Sequence, residues 1–302
     1  MKKNYFFLLI CIFIFFGKAS AQFENSIDFV GDQLIIGSPN VSNHLPLSNY
    51  HFFNPFYFNP AMAGIEDKKR LNTSWNRQFD HSFSASYEQP VSSINSAFGA
   101  HFSYTSNFYT SVRYYGLAYN YRFKIKDEAK LNLGVQFSQI SISLDEPSII
   151  TSNKSKWHNG PSLDLGLAFQ IKQFRFGASV QNLIPSKIIS ADIRPSLDIY
   201  NGERQINITV ANTFQLSEKW HWSLAGLARF VKSQNIHDFS SYISFRKKYF
   251  IGATYRTEVE HRWISFVGLK IKEKVNLQFS FNAQKKDYED HRFFEALAQY
   301  QF

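Results

Sequence analysis

Residues 116–125 read GLAYNYRFKI, and every second position of this stretch carries a bulky apolar or aromatic side chain. These side chains belong to Leu117, Tyr119, Tyr121, Phe123 and Ile125, whereas the positions between them are small, polar or basic. Successive side chains of a β-strand point to opposite faces of the sheet. The period of two therefore predicts a strand with one apolar face and one wet face.

The same alternation recurs along most of the chain from residue 70 onward, for example in residues 206–216 and 275–284. These runs have roughly 10–14 residues, against about 5–6 for typical strands of soluble proteins and about 9–11 for a tilted membrane-crossing strand. We count about fourteen runs, which predicts an all-β fold, a transmembrane antiparallel outer-membrane β-barrel of about 14 strands. The apolar phase shifts near Gln139, and this shift predicts a β-bulge there.

The connections between runs alternate in length, as periplasmic turns and extracellular loops do in such barrels. The longest connections are residues 144–160 and 184–202. On these two loops we place the candidate contacts for an exported client: Asp145, Glu146, Trp157, Asp192, Arg194 and Asp198.

The predicted periplasmic turns are rich in lysine, and two interpretations of this rim are open. The lysines either extend to lipid head groups or bind an acidic periplasmic partner. The candidate rim comprises Lys124, Lys126, Lys172, Lys219, Lys247, Lys248, Lys272 and Lys274.

The composition agrees with a β-barrel that has a lipid-facing exterior and a polar lumen. Aromatic residues make up 18% of the chain, with 32 Phe and 16 Tyr, yet the mean hydropathy is only −0.29. Polar lumen residues of a barrel offset an apolar exterior in this way. The chain has 33 basic and 24 acidic residues, and this moderate basic excess gives no reason to expect a nucleic-acid partner.

The first 21 residues have the pattern of a cleaved secretory signal peptide. Lys2 and Lys3 precede the apolar stretch Tyr5–Phe16, and Ala19-Ser20-Ala21 predicts cleavage after Ala21. The single cysteine, Cys11, leaves with this segment, which excludes disulfides and thiolate chemistry from the mature chain. We therefore expect export and divide the chain into a signal peptide (1–21), an irregular segment (22–69) and an outer-membrane β-barrel (70–302). The irregular segment is either a plug or cover of the barrel or an ordinary N-terminal arm.

The irregular segment contains NYHFFNPFYFNPAMAG at residues 49–64, in which Phe-Asn-Pro occurs twice. Proline lacks an N–H and favours an extended residue before it, and asparagine caps turns, so the stretch predicts two consecutive turns. The portion FNPFYFNPAMAG, followed by the alternating run 71–79, resembles the start of the PorP/SprF family of type IX secretion system membrane proteins. Residues 111–143 and 160–183 are also similar to that family. Met62 stands where the family usually has tyrosine.

The resemblance implies an outer-membrane protein of Bacteroidota without enzymatic activity or a cofactor. Such proteins act in type IX secretion and gliding motility, beside a periplasmic ring or a peptidoglycan-linked lipoprotein. Some support the export or surface attachment of an adhesin through its C-terminal domain. The residues that match the family motif, which we expect to be structural, are Phe53, Asn54, Pro55, Asn59, Pro60, Ala63 and Gly64.

Two other functions are compatible with the residues alone. A barrel of about fourteen strands has a lumen that conducts unless it is plugged, as in a porin or a FadL-like transporter. A rim enzyme would need acid–base pairs such as Glu260-His261, His237-Asp238 or Asp290-His291, each of which we place in a solvated loop. The nine histidines lack metal-ligand spacing, and no Gly-rich phosphate loop, HExxH or GxSxG occurs. We therefore expect neither catalysis nor a metal site.

Overall fold

The structure is a computed structural model. It describes residues 50–77, 81–106, 110–126, 128–144, 157–184, 187–190, 197–201, 203–231, 235–257, 263–286 and 289–302. The predicted signal peptide and residues 22–49 lie outside this part of the chain. Within it, no helix is long and apolar enough to cross a membrane.

The part of the chain that the structure describes has sixteen strands, and fourteen of them close into one antiparallel barrel, which confirms the predicted fold class. In order they are β1 (Arg70–Arg77), β2 (His81–Val91), β3 (Ser96–Ser106), β4 (Thr110–Lys126), β5 (Ala129–Leu144), β6 (Trp157–Ile171), β7 (Phe174–Gln181), β8 (Lys187–Ser190), β9 (Leu197–Asn201), β10 (Gln205–Gln215), β11 (Trp220–Val231), β12 (Asn235–Phe245), β13 (Tyr249–Arg256), β14 (Trp263–Ile271), β15 (Val275–Lys286) and β16 (Glu289–Gln301). Strand β1 pairs with β16 along its whole length and closes the ring. Three short 3-10 turns cover Pro55–Tyr57, Pro60–Met62 and Ser92–Ile94.

Strands β8 and β9 form a separate two-stranded hairpin inside the predicted loop 184–202. The sequence interpretation missed it because runs of four and five residues are too short to establish an alternation. Strand β7 ends at Gln181; the next residue, Asn182, has a φ of 56° and turns the chain away from the wall, and β10 resumes the barrel.

Alternation sorts the side chains as expected, with apolar residues outside and polar residues inside. On β4, Leu117 is 70% exposed to the exterior, whereas the neighbouring lumen residue Asn120 is fully buried. The inward polar residues are buried because something other than water fills this part of the lumen.

The predicted bulge near Gln139 is wrong. Strand β5 pairs without interruption with β6, and the register shift of the β4–β5 pair lies between Lys124 and Lys126, far from Gln139. Ile140 and Ile142 therefore face the lumen and are buried. The phase shift in the sequence therefore has another cause: β5 is a regular strand, but near Gln139 its apolar residues change from the outward face to the lumen face.

Candidate functional site: a filled lumen between two rims

Residues 50–69, the lumen segment, lie inside the barrel and lead directly into β1. Its part from Tyr50 to Ile65 is buried except for the half-buried Phe53. The Asn-Pro pairs form the two predicted turns, and Asn59 caps the second because its side chain accepts a hydrogen bond of 2.9 Å from the Ala61 N–H. Asn54 makes no such cap and donates to Ser86 of the wall instead.

The wall binds this segment through its backbone. Turns leave carbonyl groups without partners in the chain, and buried carbonyls need donors. Inward-facing side chains from several strands supply them: Asn120 to Ala63 (2.6 Å), Asn132 to Ala61 (3.0 Å), Arg122 to Gly64 (2.8 Å), Ser179 and Asn207 to Phe58 (2.7 and 3.2 Å) and Gln299 to Phe53 (3.0 Å). The donors surround the segment, so they fix its position in the lumen.

The lumen segment also donates to the wall. The Asn59 amide donates to the carbonyls of Leu167 on β6 (2.9 Å) and Ala178 on β7 (3.2 Å). The Tyr50 hydroxyl donates to the Glu295 carbonyl on β16 at 2.7 Å. Asn59 thus bonds two wall strands and caps its own turn. This motif position therefore needs a side chain that both donates and accepts hydrogen bonds.

Glycines of the wall make room for the segment. A Cβ added at Gly134 would lie 2.3 Å from the Ala61 nitrogen, and one at Gly99 would lie 2.4 Å from the Phe56 ring. Added Cβ atoms at Gly166 and Gly177 would meet the Asn59 and Met62 side chains at 2.1 and 2.5 Å. These distances are shorter than real Cβ contacts, so a side chain at any of these positions would require a shift; at Gly134 the atoms that would have to move belong to the backbone of the segment.

On the opposite wall the segment packs through aromatic rings. The Phe53 ring centroid lies 5.4 Å from Tyr242 and 5.2 Å from Phe250, and Phe52 contacts Tyr242 edge to face at 5.2 Å. Such arrangements add to the stabilisation from apolar burial. One side of the segment therefore packs against glycines and the other against rings.

Ion pairs hold the exposed end of the segment at the mouth with the short turns. Asp67 pairs with Arg122 and Lys130, and Glu66 pairs with Arg70 at 3.2 Å and Arg175 at 3.0 Å. Burial alone would raise the pKa of both acids, but these cations outweigh it and hold both pKa values below the usual range. Both carboxylates are therefore charged at neutral pH.

A second charged group lies deeper in the lumen. Arg256 binds Asp238 through two nitrogens at 2.7 and 2.9 Å, Arg229 approaches the same carboxylate at 3.5 Å, and all three side chains are buried. His51 of the segment lies nearby, against Ser240 at 3.4 Å. Burial lowers the pKa of His51 to about 4, and the charges of Arg256 and Arg229 add to this effect against that of Asp238. The imidazole is therefore neutral at neutral pH.

The structure brings the predicted rim lysines to one end of the barrel, where the short turns and the C-terminus lie. Lys172 and Lys272 have φ values of 52° and 48° in two of these turns, and Lys247 has 54° in a third. Lys172 also pairs with Glu128 of the neighbouring turn at 2.9 Å. The same end carries the charged mouth of the lumen segment, so the lysines surround its exit.

Most of the predicted client residues lie outside the described residues, namely Asp145, Glu146, Asp192 and Arg194. Asp198 lies in β9. Trp157 is the first residue of β6 and faces outward, where the Arg113 guanidinium lies 3.8 Å from its ring centroid.

The three acid–histidine pairs do not form a site in the described part of the chain. The loop placement of His237-Asp238 is wrong, because both lie in β12, where Asp238 binds arginine in the lumen and His237 packs against Phe230 at 5.6 Å. Asp290-His291 lies in β16 rather than in a loop, and Glu260-His261 lies outside the described residues. No group of three metal-ligating side chains occurs among the described residues.

Sequence reasoning missed the inward amides and glycines of the wall that hold the lumen segment. Alternation assigned them only to a wet face. The sequence did contain a signal, because the inward-facing positions of neighbouring strands carry amides and glycines. An open channel needs neither, so their presence indicates that the lumen is occupied.

The fold is that of an outer-membrane β-barrel, with residues 50–69 packed inside its lumen. A family model described as "Type IX secretion system membrane protein PorP/SprF" matches residues 41–300. The chain belongs to this PorP/SprF family, as its opening motif indicated.

Solved structures show the same fold at low identity. The toluene transporter TodX of Pseudomonas putida is 11% identical with a TM-score of 0.51, over 82% of this chain and 93% of that chain. The CymD monoaromatic hydrocarbon channel is 9% identical with a TM-score of 0.50, over 82% and 92%. A comparison with curated proteins finds no match. The structural likeness shows the barrel architecture and nothing about a ligand.

Proposed function

We propose that this protein is a non-enzymatic, non-conducting docking barrel of the type IX secretion system. Family membership supports the secretion role. The observation that carries the docking role is the lumen segment, which the wall holds through the backbone carbonyls of Phe53, Phe58, Ala61, Ala63 and Gly64. A barrel filled in this way offers its two rims, not its interior, to other molecules.

The rim with the short turns is proposed to bind acidic periplasmic machinery, such as a ring component or a peptidoglycan-linked lipoprotein. Lys247 and Lys248 stand next to each other in the β12–β13 turn, the neighbouring β14–β15 turn carries Lys272, and the β6–β7 turn carries Lys172. Positive charge distributed around a rim speeds association with an acidic partner and selects against basic ones.

The loop end is proposed to bind the C-terminal domain of an exported adhesin and to support its export or surface attachment. This assignment follows the family and the cleaved signal expected at residues 1–21, which would deliver the chain to the outer membrane of a Bacteroidota cell. The hairpin β8–β9 gives this end an ordered element on which a client can dock.

Affinity purification from native membranes tests the periplasmic contact. The double variant Lys247→Glu/Lys248→Glu is expected to lower recovery of the periplasmic partner at least tenfold, while the barrel still assembles. The matched control is Lys285→Glu/Lys286→Glu, which reverses an equal charge at the loop end of β15 and should leave recovery unchanged. Equal recovery with both variants would show that the rim lysines only contact lipid.

A channel is the second candidate, and the architecture shared with the two hydrocarbon transport proteins favours it. It would require the lumen segment to move. The hydrogen bonds and ion pairs that hold this segment oppose such a movement. We therefore favour the function of a docking barrel over that of a channel.

A further inference from the structure

The outer face of the barrel changes polarity along a row of directly paired residues on four neighbouring strands. On β3 to β6, the outward residues of this row are Tyr104, Arg113, Ser141 and Asn159. One pair further from the loop end the same row reads Phe102, Tyr115, Gln139 and Pro161, and below it the face is apolar. The lumen-facing side of β5 changes from polar to apolar towards the loop end, where Ile140 and Ile142 are buried. On β4 the apolar outer face therefore ends at Tyr115.

The height of the apolar band supports this boundary. From Ile125 to Tyr115 the outward residues of β4 cover 125 − 115 = 10 steps. At about 3.3 Å per residue and a tilt of about 40°, these steps rise about 25 Å, which is the height of the apolar band of outer-membrane barrels. Arg113 lies one outward position above the band, at the level of the head groups of the outer leaflet.

The Arg113 side chain is held in a defined place. Its guanidinium carbon lies 3.8 Å from the Trp157 ring centroid and 6.0 Å from that of Tyr104. Among the described residues no carboxylate pairs with it. Stacking on aromatic faces orients the planar fork while its N–H groups remain available to an acceptor.

Polar groups surround this arginine on the same face. The Ser141 hydroxyl donates to the Asn159 side chain at 2.5 Å, and the hydroxyls of Ser106 and Ser111 lie 3.1 Å apart. Tyr104 reaches Ser111 at 3.4 Å. Ser111 and Ser141 are buried within this polar cluster, whereas Asn159 is exposed and can meet a sugar hydroxyl or a phosphate oxygen of a glycolipid.

We propose that Arg113, with Trp157 and the polar groups beside it, binds the phosphate of a glycolipid of the outer leaflet. Arginine recognises phosphate through paired, charge-assisted hydrogen bonds. The ligand is a lipid rather than a free anion because the site faces outward at the edge of the apolar band, where acyl chains hold a phosphate at this height. The inference depends on the membrane barrel alone and not on the proposed role in secretion.

Native mass spectrometry of the full mature barrel in detergent tests the site, with bisphosphorylated lipid A and its dephosphorylated form as probes. The wild type should retain at least fivefold more of the phosphorylated form, and Arg113→Gln should remove this preference. The matched control is Arg246→Gln, because Arg246 stacks on Phe245 at 5.2 Å at the opposite end. It should preserve the preference.

Each other result overturns the proposal. Retention of the preference in Arg113→Gln, or its equal loss in Arg246→Gln, would indicate unspecific attraction. Displacement of the lipid by millimolar inorganic phosphate would indicate a free-anion site. Trp157→Leu, which keeps the charge and removes the stack, provides a second variant and should reduce the preference partially. The heat-dependent mobility shift of folded barrels in gel electrophoresis verifies that each variant is folded.

Discussion

At the scale of single residues, the wall glycines decide whether the lumen segment fits. Gly134→Ala places a Cβ 2.3 Å from the Ala61 nitrogen, which belongs to a backbone that several wall amides hold in place. Because neither side can yield easily, we expect a loss of about 1–3 kcal/mol in the free energy of unfolding, the range typical of overpacking. Urea unfolding of the barrel in detergent measures it.

Gly226→Ala is the control for this prediction, since it makes the same change in the same barrel. Its Cβ would meet Val210 at 3.4 Å, an ordinary contact. Alanine is also favoured over glycine in a strand, so stability should stay equal or rise slightly. Equal destabilisation by both variants would mean that the wall glycines serve the strands and not the lumen segment.

At the scale of the element, the lumen segment makes stability depend on pH through His51. Its pKa in the folded protein is about 4, below the ordinary value of 6.5. Above pH 6.5 the histidine has no effect. As the pH falls from 6.5 towards 4, the unfolded chain takes up a proton that the folded chain excludes, so stability decreases.

Between pH 7 and pH 5 this loss amounts to about 2 kcal/mol at most, from 1.36 kcal/mol per pH unit below 6.5. His51→Gln, which keeps a polar group beside Ser240, should remove this part of the pH dependence. The measurement is the difference in unfolding free energy between the two pH values for each protein. If wild type and variant lose the same amount, His51 is not the responsible group.

The carboxylates of the segment act at lower pH. Glu66 and Asp67 have pKa values below their usual range. Their ion pairs therefore contribute stability that is present at neutral pH and is lost only as the pH falls through these low values. The segment is thus most firmly held at neutral pH.

At the scale of the whole molecule, a filled lumen predicts the absence of steady conductance. In planar bilayers the wild type should remain closed, because contacts of the lumen segment reach strands on all sides of the barrel, from Glu88 on β2 to Gln299 on β16. Asn59→Ala combined with Asp67→Ala removes a turn cap, two wall contacts and two ion pairs, and should produce intermittent openings.

Glu128→Gln is the matched control for conductance, since it removes an exposed ion pair with Lys172 outside the lumen. It should stay closed. Steady wild-type conductance at the level of a water-filled pore would contradict the docking barrel and favour the channel.

Much of this protein could be read from its sequence because a barrel between lipid and water imposes a local pattern. The outward apolar and aromatic residues of β4, from Leu117 to Ile125, predict a strand and its lipid-facing side from the local sequence alone. The number of strands and the position of the lysine turns follow from the same pattern. The FNP and NPAMAG motif indicated the family.

The tertiary structure alone decided what fills the barrel and which face each residue near the loop end occupies. The phase shift at Gln139 has two possible causes, a bulge or an exchange of polarity, and only pairing with β6 distinguishes them. The contacts of Asn120, Gly134 and Asn207 with a segment more than fifty residues away in sequence are equally invisible to a local pattern. The alternation of apolar and polar residues shows whether a side chain faces lipid or the polar lumen. Which residue it contacts there depends on how the barrel closes around the lumen segment.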